Sequence, residues 1–281
     1  MPADDPRISI RTDSGETLVF DKAPERIVSL VPSITETLIE LGAGNRVVGI
    51  TNYCIHPARA VENIPRLGGP KSISVEKIDA LQPDLVITDK EENRETNIEP
   101  LRGKYPMFVT YVRTVEHAVK MVSDLGLLTR TSPKAAEIVE TCKQILASAD
   151  PAVVGTPLAT ACFIWSDPWI AVGPDSYPGD LLEKFGFRNV FSREDGRYPE
   201  TDLDDVAELG AEAIILLNER YAFGEPERKD IDAFLSANGR KAKILIVDGS
   251  YLTWFGYRTI QGLRFLRQTK AKLLSETPQI P

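Results

Sequence analysis

Short apolar runs alternate with amphipathic segments along most of the chain. The stretch "RIVSLVPSITETLIELGAG" predicts a buried strand, a turn and a helix over residues 33–41. Ser33 and Glu36 have the spacing of a capping box, and Gly42 or Gly44 is placed to end the helix. The chain therefore begins its regular structure as a strand that feeds a helix.

The same alternation continues through the first half. "RVVGIT", "SVEKIDALQPDLVIT" and "YPMFVTYV" each contain a short apolar run that predicts a strand, and helical segments precede or follow these runs. Strands that alternate with helices form a parallel sheet with helices on its faces. We therefore predict an α/β lobe over residues 1–131.

A longer helix is predicted next, over residues 132–150. Ser132 and Pro133 have the character of an N-cap and a first helical residue. Apolar residues then recur at helical spacing as one stripe, formed by Ala135, Ile138, Val139, Cys142, Ile145, Leu146 and Ala149. The stripe places Cys142 in the core of the protein.

The second half repeats the pattern of the first. Residues 75–91, "VEKIDALQPDLVITDKE", align without a gap on residues 203–219, "LDDVAELGAEAIILLNE", at an offset of 128 residues. Apolar positions match throughout, although binary pattern alone would produce part of that agreement. We predict an α/β fold of two parallel-sheet lobes, the second over residues 151–281, bridged by the single long helix.

Composition narrows the classes of function. A formal net charge of −8 disfavours nucleic acid as a partner, because phosphate selects basic surfaces. Three cysteines without clustered spacing indicate no disulfide framework. The stretch "MPADDPRISI" has neither the basic nor the apolar region of an export signal, and no apolar run is long enough to span a membrane. We expect a cytoplasmic protein, or a periplasmic or cell-surface one if an upstream signal has been removed.

Several motifs, taken in order, resemble the helical-backbone substrate-binding proteins of ABC importers, which carry cobalamin, ferric siderophores and haem. "PERIVSLVPSITETLIELG" and "SVEKIDALQPDLVIT" resemble the first lobe of that family, and "GDLLEKFGFRNVF", "DLDDVAELGAEAIIL" and "DGSYLTWFGYR" resemble the second. The stretches "TNYCIHP" and "DKEEN" are closer to an uncharacterised branch described as helical-backbone metal receptors.

The resemblance implies a ligand cleft between the two lobes and little hinge closure. It also implies that one acid on each lobe docks on basic pockets of a permease, and the matching positions are Glu76 and Asp204. Aspartate replaces the usual glutamate on the second lobe, which shortens that side chain by one methylene. The expected ligand is a chelated iron or cobalt ion, with no covalent cofactor.

Candidate ligand contacts follow from the rule that ligands lie beyond the carboxyl ends of parallel strands. Polar and aromatic residues in the segments that follow the predicted strands are Tyr53, Cys54, His56, Lys71, Lys90, Glu91, Glu92, Trp165, Trp169, Glu219, Trp254 and Arg258. The tryptophans offer an apolar wall to a flat or bulky ligand. Lys71, Lys90, Arg220 and Arg258 are cations that would pair with carboxylates or phosphates.

Cys54 and His56 admit more than one interpretation. On an extended segment both side chains would share one face and could contact a metal or ligand, with Glu91 or Glu92 completing a metal shell. A buried cysteine beside a hydrogen-bonded histidine would show the same spacing. A Cys–His nucleophile is a third interpretation, although no oxyanion motif accompanies the pair.

Three hypotheses of function follow. The first is a non-enzymatic, monomeric binding protein that captures a metal chelate, cobalamin-, siderophore- or haem-like, for ABC-type import. The second is a cytoplasmic ligand sensor or carrier on the same scaffold, without a permease. The third is an enzyme that uses Cys54 and His56. We further expect Tyr53, Cys54 and His56 to face the three tryptophans across the cleft.

Overall fold

The computed structural model describes residues 7–149, 151–193, 195–219 and 221–275. Within them the chain divides into two compact units. The first unit runs to Val112 and includes Glu116–Thr141, whereas the second comprises Arg113–Val115 and the chain from Cys142 onward. The last crossing between the units, from Thr141 to Cys142, therefore falls inside a helix and not in a loop.

The first unit contains β1 to β8 and α1 to α5, and α6 begins in it. The strands are β1 (Ile8–Arg11), β2 (Thr17–Phe20), β3 (Ile27–Ser29), β4 (Val47–Ile50), β5 (Gly68–Gly69), β6 (Ser72–Ile73), β7 (Leu85–Asp89) and β8 (Met107–Thr110). The helices are α1 (Pro32–Glu40), α2 (Ala58–Val61), α3 (Val75–Leu81), α4 (Glu95–Ile98), α5 (Val115–Leu128) and α6 (Ser132–Ala147), with 3₁₀ turns at Gly44–Arg46 and Glu99–Leu101.

The main sheet of the first unit is parallel, with strand order β4-β3-β7-β8. β3 and β7 are buried along their whole length, as expected for strands covered on both faces. The chain leaves β3 towards β4 on one side and later returns through β7 on the other. The strand order therefore reverses between β3 and β7, and crevices that bind ligands form at such points.

Helix α1 begins one residue earlier than predicted. Pro32 occupies its first turn, and the N-cap is Val31, whose side chain makes no capping hydrogen bond. The predicted capping box is therefore wrong, because Ser33 and Glu36 lie inside the helix and are buried. Gly42 ends the helix as predicted: its φ is +86°, and its N–H donates to the carbonyl of Ile39.

Helix α6 is one uninterrupted helix of 16 residues, as the apolar stripe predicts. It ends at Ala147, before the predicted end. Its buried residues occur on both sides of the boundary between the units: Ala135 and Ile138 precede it, and Cys142 and Ile145 follow it. One apolar face thus supplies core residues to each unit.

The second unit contains the remaining elements. Its helices are α7 (Pro151–Gly155), α8 (Tyr177–Glu183), α9 (Leu203–Glu208), α10 (Glu225–Ala237), α11 (Ser250–Thr253) and α12 (Thr259–Ser275). Its strands are β9 (Leu158–Trp165), β10 (Trp169–Ala171), β11 (Phe187–Asn189), β12 (Glu200–Thr201), β13 (Ala213–Leu217) and β14 (Lys243–Val247).

The parallel strands of the second unit have the order β11-β9-β13-β14, the same as β4-β3-β7-β8 in the first unit. β10 is added antiparallel to the second half of β9, and β12 is antiparallel to β10. The second unit therefore has the topology of the first plus an antiparallel insertion that extends from the end of β9.

The internal repeat is confirmed in detail. At the offset of 128 residues, α3 and α9 begin at matching positions, and β7 and β13 match from end to end. The N-caps match as well, since the side chains of Ser74 and Asp202 each accept from the backbone N–H three residues later. Gln82 and Gly210, with φ of 45° and 69°, end the two helices in the left-handed region.

Candidate functional site

The carboxyl edge of the first sheet is formed by the loops that follow β3, β4, β7 and β8. Asn93, buried after β7, connects three of the surrounding segments through its side-chain amide. Its Oδ1 accepts from Asp89 N–H at 3.0 Å, and its Nδ2 donates to the carbonyls of Leu30 and Pro70, each at 3.2 Å. One amide therefore joins the end of β3, the β5–β6 turn and the end of β7.

Asp89 is the second buried polar residue at this edge, with 2% of its surface exposed. Its Oδ1 accepts from the N–H groups of Glu91 and Glu92 at 2.8 and 3.3 Å, and its Oδ2 accepts from Thr110 Oγ1 at 2.8 Å. Burial raises the pKa of this carboxyl to about 6, and the hydrogen bonds only partly oppose that effect.

The segment Thr51–Pro57 is a turn and not an extended strand, so the prediction that Cys54 and His56 share one face is wrong. Cys54 N–H donates to Thr51 carbonyl, which curls the chain back on itself. Cys54 is fully buried, whereas His56 is half-buried and Tyr53 is 63% exposed. Of the three candidates in this turn, Tyr53 is therefore the one displayed to solvent.

Cys54 has the environment of a structural thiol. Its Sγ lies 3.2 Å from the hydroxyl oxygens of both Thr35 and Thr51. Burial raises the pKa of the thiol, so the thiolate that a nucleophile or a metal ligand needs is disfavoured. The Cys–His enzyme hypothesis and the assignment of Cys54 as a ligand contact both lose their geometric basis.

The metal hypothesis also required carboxylates near His56. The backbone N–H groups of Glu91 and Glu92 donate to Asp89. Glu91 is exposed and Glu92 is half-buried. Among the residues that the structure describes, no group of three or more His, Cys, Asp and Glu side chains is arranged to hold a metal ion. The described residues thus give no support to direct metal ligation by His56 and Cys54.

The candidate cations have different environments. Lys71 is exposed in the turn between β5 and β6. Lys90 Nζ donates to the carbonyl of Asp13 at 2.9 Å and lies 5.2 Å from the centroid of the Tyr111 ring. Arg258 is buried, 7% exposed, and therefore is not the rim cation that the sequence predicts. Arg220 lies outside the described residues.

An aromatic cluster lies at the carboxyl edge of the second sheet, where β9 turns into β10. The ring of Trp165 meets that of Tyr221 edge-on at 5.4 Å between centroids, and Tyr221 contacts Phe223 at 4.6 Å. Trp169 stacks on Phe223 at 6.1 Å and meets Phe163 edge-on at 5.0 Å. We call these five residues the aromatic cluster.

The cluster runs from the core to the surface. Phe163 and Phe223 are buried, Trp169 and Tyr221 are half-buried, and Trp165 is 40% exposed. Buried rings beneath an exposed one fix its position, so Trp165 is presented to solvent with little conformational freedom to lose on binding. Aromatic side chains held in this way form an apolar wall for a ligand.

Trp254, which directly follows α11, is 7% exposed. Its Nε1 donates to Glu219 Oε1 at 3.0 Å, and the guanidinium of Arg258 lies 4.8 Å from its ring centroid. Arg258 Nη1 in turn donates to Ser250 Oγ at 2.7 Å. Trp254 and Arg258 therefore pack within the segment after β14 and are not exposed side chains. A wall that Trp254 forms with the other tryptophans stays a prediction.

The two acids predicted to dock on a permease have equivalent positions. Glu76 and Asp204 are each the second residue of their helix, α3 or α9, and both are exposed. Their place in the repeat is thereby confirmed, and their role in docking stays a prediction. Opposition of the first-unit residues to the tryptophans across a cleft likewise stays a prediction.

Three residues with central contacts in the structure lie inside the predicted segments but were not among the predicted contacts. "DKEEN" and "NERY" were both assigned to the ligand edge, yet Asp89, Asn93 and Tyr221 were not singled out within them. Asn93 and Tyr221 occupy matching places at the offset of 128 residues, but they are unlike residues just beyond the aligned stretch, so the repeat gave no signal for them. Phe223 carried no signal of its own.

Comparison with known proteins identifies the family. The family model described as periplasmic binding protein matches residues 27–244. The chain therefore belongs to the periplasmic binding protein family. Within the described part of the chain, no helix combines the length and apolar character needed to cross a membrane.

Individual relatives and solved structures agree with the family match. An uncharacterized ABC transporter substrate-binding lipoprotein of Bacillus subtilis is 25% identical over 93% of this chain and 85% of its own. The periplasmic vitamin B12-binding protein of Vibrio cholerae superposes with a TM-score of 0.75, at 20% identity, over 91% of this chain and 99% of its own. A periplasmic haem-binding protein of Pseudomonas aeruginosa gives a TM-score of 0.74, at 20% identity, over 88% and 92%.

These proteins are described as binding proteins, and the solved ones establish the two-unit α/β fold. They include a lipoprotein and periplasmic proteins, so they do not support the cytoplasmic location expected from the sequence.

Proposed function

We propose that this protein captures a metal chelate, of the corrinoid, haem or ferric siderophore class, and delivers it to an ABC importer. The observation that carries the proposal is the aromatic cluster at the carboxyl edge of the second sheet, on a chain that belongs to the periplasmic binding protein family. It acts as a binding protein and performs no catalysis.

The chelate class follows from the chemistry of the edge. A chelated metal has its coordination sites filled by its own organic ligand, so recognition needs surface contact more than protein donors to the metal. Trp165 supplies exposed ring area, with Tyr221 edge-on beside it. In the first unit Tyr53 and Lys71 are exposed at loops of the carboxyl edge and supply a further ring and a cation.

Delivery to a permease is proposed through Glu76 and Asp204. Both are exposed near the N-terminus of a helix, and the repeat gives each unit an acid at the same place, glutamate in the first and aspartate in the second. The lipoprotein and periplasmic proteins among the relatives favour import over a sensor without a permease. We accordingly propose that the protein acts outside the cytoplasmic membrane.

The proposal is tested by calorimetric titration with cyanocobalamin, hemin, a neutral ferric trihydroxamate and a trianionic ferric tris-catecholate. At least one chelate should bind, and Trp165→Ala should weaken it about tenfold because it removes the most exposed ring of the cluster. Tyr198→Ala is a matched control, since Tyr198 is 39% exposed and precedes β12 outside the cluster.

Failure of all four chelates to bind would overturn the proposed function. Equal weakening by the Trp165 and Tyr198 variants would remove the aromatic cluster from the site while leaving a binding function in place.

A further inference from the structure

Three arginines of the second unit converge on one residue, Asp175, between β10 and α8. Arg113 Nη1 lies 3.4 Å from Asp175 Oδ2, and Arg193 Nη1 lies 3.5 Å from Asp175 Oδ1. Arg197 Nε donates to the backbone carbonyl of Asp175 at 2.8 Å. We call these four residues the arginine cluster, and none of the four was selected from the sequence.

The arginine cluster lies at the carboxyl edge of the second sheet. Val172 N–H donates to the carbonyl of Cys162 in β9, and the chain then turns through Gly173 towards α8. In the repeat, Cys162 pairs with Ile215 as Ser29, the last residue of β3, pairs with Ile87. Asp175 lies two residues before α8, and α8 leads to β11, which pairs in parallel with β9 from Leu158, the first residue of that strand. The segment that holds Asp175 therefore lies on the carboxyl side of β9.

Tight backbone packing holds the two segments of the cluster together. Gly173 N–H donates to the carbonyl of Arg197 at 2.8 Å. A Cβ at Gly173 would come within 2.1 Å of the Gly196 carbonyl oxygen, so only glycine permits this approach. The positions of Arg193 and Arg197 relative to Asp175 are consequently set by the backbone.

A structural role accounts for Arg113 better than for Arg193. Arg113 belongs to the short segment Arg113–Val115, which also binds the second unit through Val115 N–H and Asp180 Oδ2 at 2.8 Å. Arg193 anchors no such segment: its side chain is 77% exposed, and an ion pair at that exposure contributes little to stability. The contact of Arg193 with Asp175 therefore contributes little to folding and leaves this guanidinium accessible to a ligand.

We propose that the arginine cluster binds an anionic group of the ligand, so that the chelate this protein prefers is negatively charged. The inference rests on the proposed function and adds the charge of the substrate to it. Each guanidinium has five N–H donors in a planar fork, so contact with Asp175 is compatible with a further carboxylate or catecholate oxygen as acceptor. Asp175 would orient the arginines between ligands.

The test compares Arg193→Gln with the unchanged protein, using the two anionic chelates, hemin and the ferric tris-catecholate, and the two neutral ones, cyanocobalamin and the ferric trihydroxamate. We expect the variant to bind an anionic chelate about tenfold more weakly, because one charge-assisted contact is lost. Its thermal unfolding, and its affinity for any neutral chelate that binds, should stay unchanged. Arg193→Lys should restore part of the affinity.

Arg188→Gln is the matched control. Arg188 is also exposed in the second unit, but it lies on β11, which pairs with the first residues of β9 at the opposite edge of the sheet. This variant removes the same charge, so it reports any effect of overall charge alone. Affinity of the Arg193 variant for an anionic chelate should also respond less to added salt than that of the unchanged protein.

The outcomes separate this inference from the proposed function. If the unchanged protein binds only neutral chelates, or if Arg193→Gln and Arg188→Gln have equal effects, the arginine cluster is not a ligand site and the binding function stands. If Arg193→Gln weakens neutral and anionic chelates alike, recognition of charge is excluded. If none of the four chelates binds, the inference fails together with the proposed function.

Discussion

The two units share one strand order and one ungapped repeat, yet their ligand edges are built from opposite kinds of side chain. After β7 the first unit places Asp89 and Asn93, buried and hydrogen-bonded to four neighbouring segments. At the matching positions the second unit has Leu217, which is buried, and Tyr221, which belongs to the aromatic cluster.

The difference indicates that the two copies of a duplicated scaffold can differ in role at the same edge of the sheet. A buried polar residue is tolerated only when its donors and acceptors are satisfied, and satisfying them fixes the surrounding loops. An exposed ring keeps its contact area for a ligand. We infer that the polar edge of the first unit mainly positions its loops, whereas the aromatic edge of the second mainly supplies contact.

The largest effect is expected from truncating matching core residues, which tests whether the shared helix–strand repeat contributes to stability in both units. Ile78 and Val206 occupy matching positions and are fully buried. Ile78→Ala should lower the free energy of unfolding by about 3 to 4 kcal/mol, and Val206→Ala by about 2 kcal/mol, because each leaves a cavity. Urea denaturation measures both. Costs below about 1 kcal/mol at either site would show that its core collapses around the change.

The second prediction concerns the buried carboxyl that distinguishes the first unit. The pKa of Asp89 is raised by burial from an ordinary value of 3.8 to about 6, so the folded state binds a proton more tightly than the unfolded state. Stability from this residue is therefore fully present below pH 4 and is lost as the pH rises through about 6, by an amount on the order of 3 kcal/mol.

Asp89→Asn should remove that loss. The difference in unfolding free energy between this variant and the unchanged protein should therefore change as the pH rises from 4 to 7. Asp79→Asn is the control of opposite sign. The hydroxyl of Tyr105 and the ammonium of Lys104 lower the pKa of Asp79, so its contribution is lost as the pH falls. An unchanged difference between pH 4 and pH 7 would contradict the buried, ionisable assignment of Asp89.

A smaller effect is expected at the helix caps that the units share. Ser74→Ala and Asp202→Ala should each cost about 1 kcal/mol of unfolding free energy, because each leaves a backbone N–H of the first turn without its acceptor. The exchanges Ser74→Asp and Asp202→Ser should cost less than about 0.5 kcal/mol. If the exchanges cost as much as the alanine variants, the two caps are not equivalent.

The smallest effect on stability is expected at the two acids that we propose dock on a permease. Glu76→Ala and Asp204→Ala should change the unfolding free energy by less than about 0.5 kcal/mol, because both side chains are exposed. Binding to the cognate permease in lipid nanodiscs should nevertheless weaken, and Asp204→Glu should bind at least as well as the unchanged protein. Glu208→Ala, an exposed acid on the same helix α9, serves as control. Normal permease binding by both alanine variants would remove the docking role.

Much of the scaffold could be predicted because its signals are local and repeated. The apolar runs of β7 and β13 and the stripe of α6 all use side-chain periods that do not depend on distant contacts. Where a boundary was wrong, as at Ser33, a single proline shifted the start of the helix.

The site was predicted less well, because the exposure of a side chain is decided by what packs over it. Trp165, Trp169 and Trp254 are alike in sequence context, but Glu219 and Arg258 hold Trp254 in the interior. Cys54 is buried because the chain turns between Thr51 and Cys54, and no local sequence pattern predicted that turn.

Periodicity and motif order along the chain were enough to predict the two α/β units, their duplication and the family. The burial of Asp89, the joining of three segments by Asn93, and the meeting of Arg113, Arg193 and Arg197 at Asp175 became visible only in the folded structure. The physical reason is that hydrogen bonds and ion pairs between residues far apart in the chain form only after the backbone has brought their segments together.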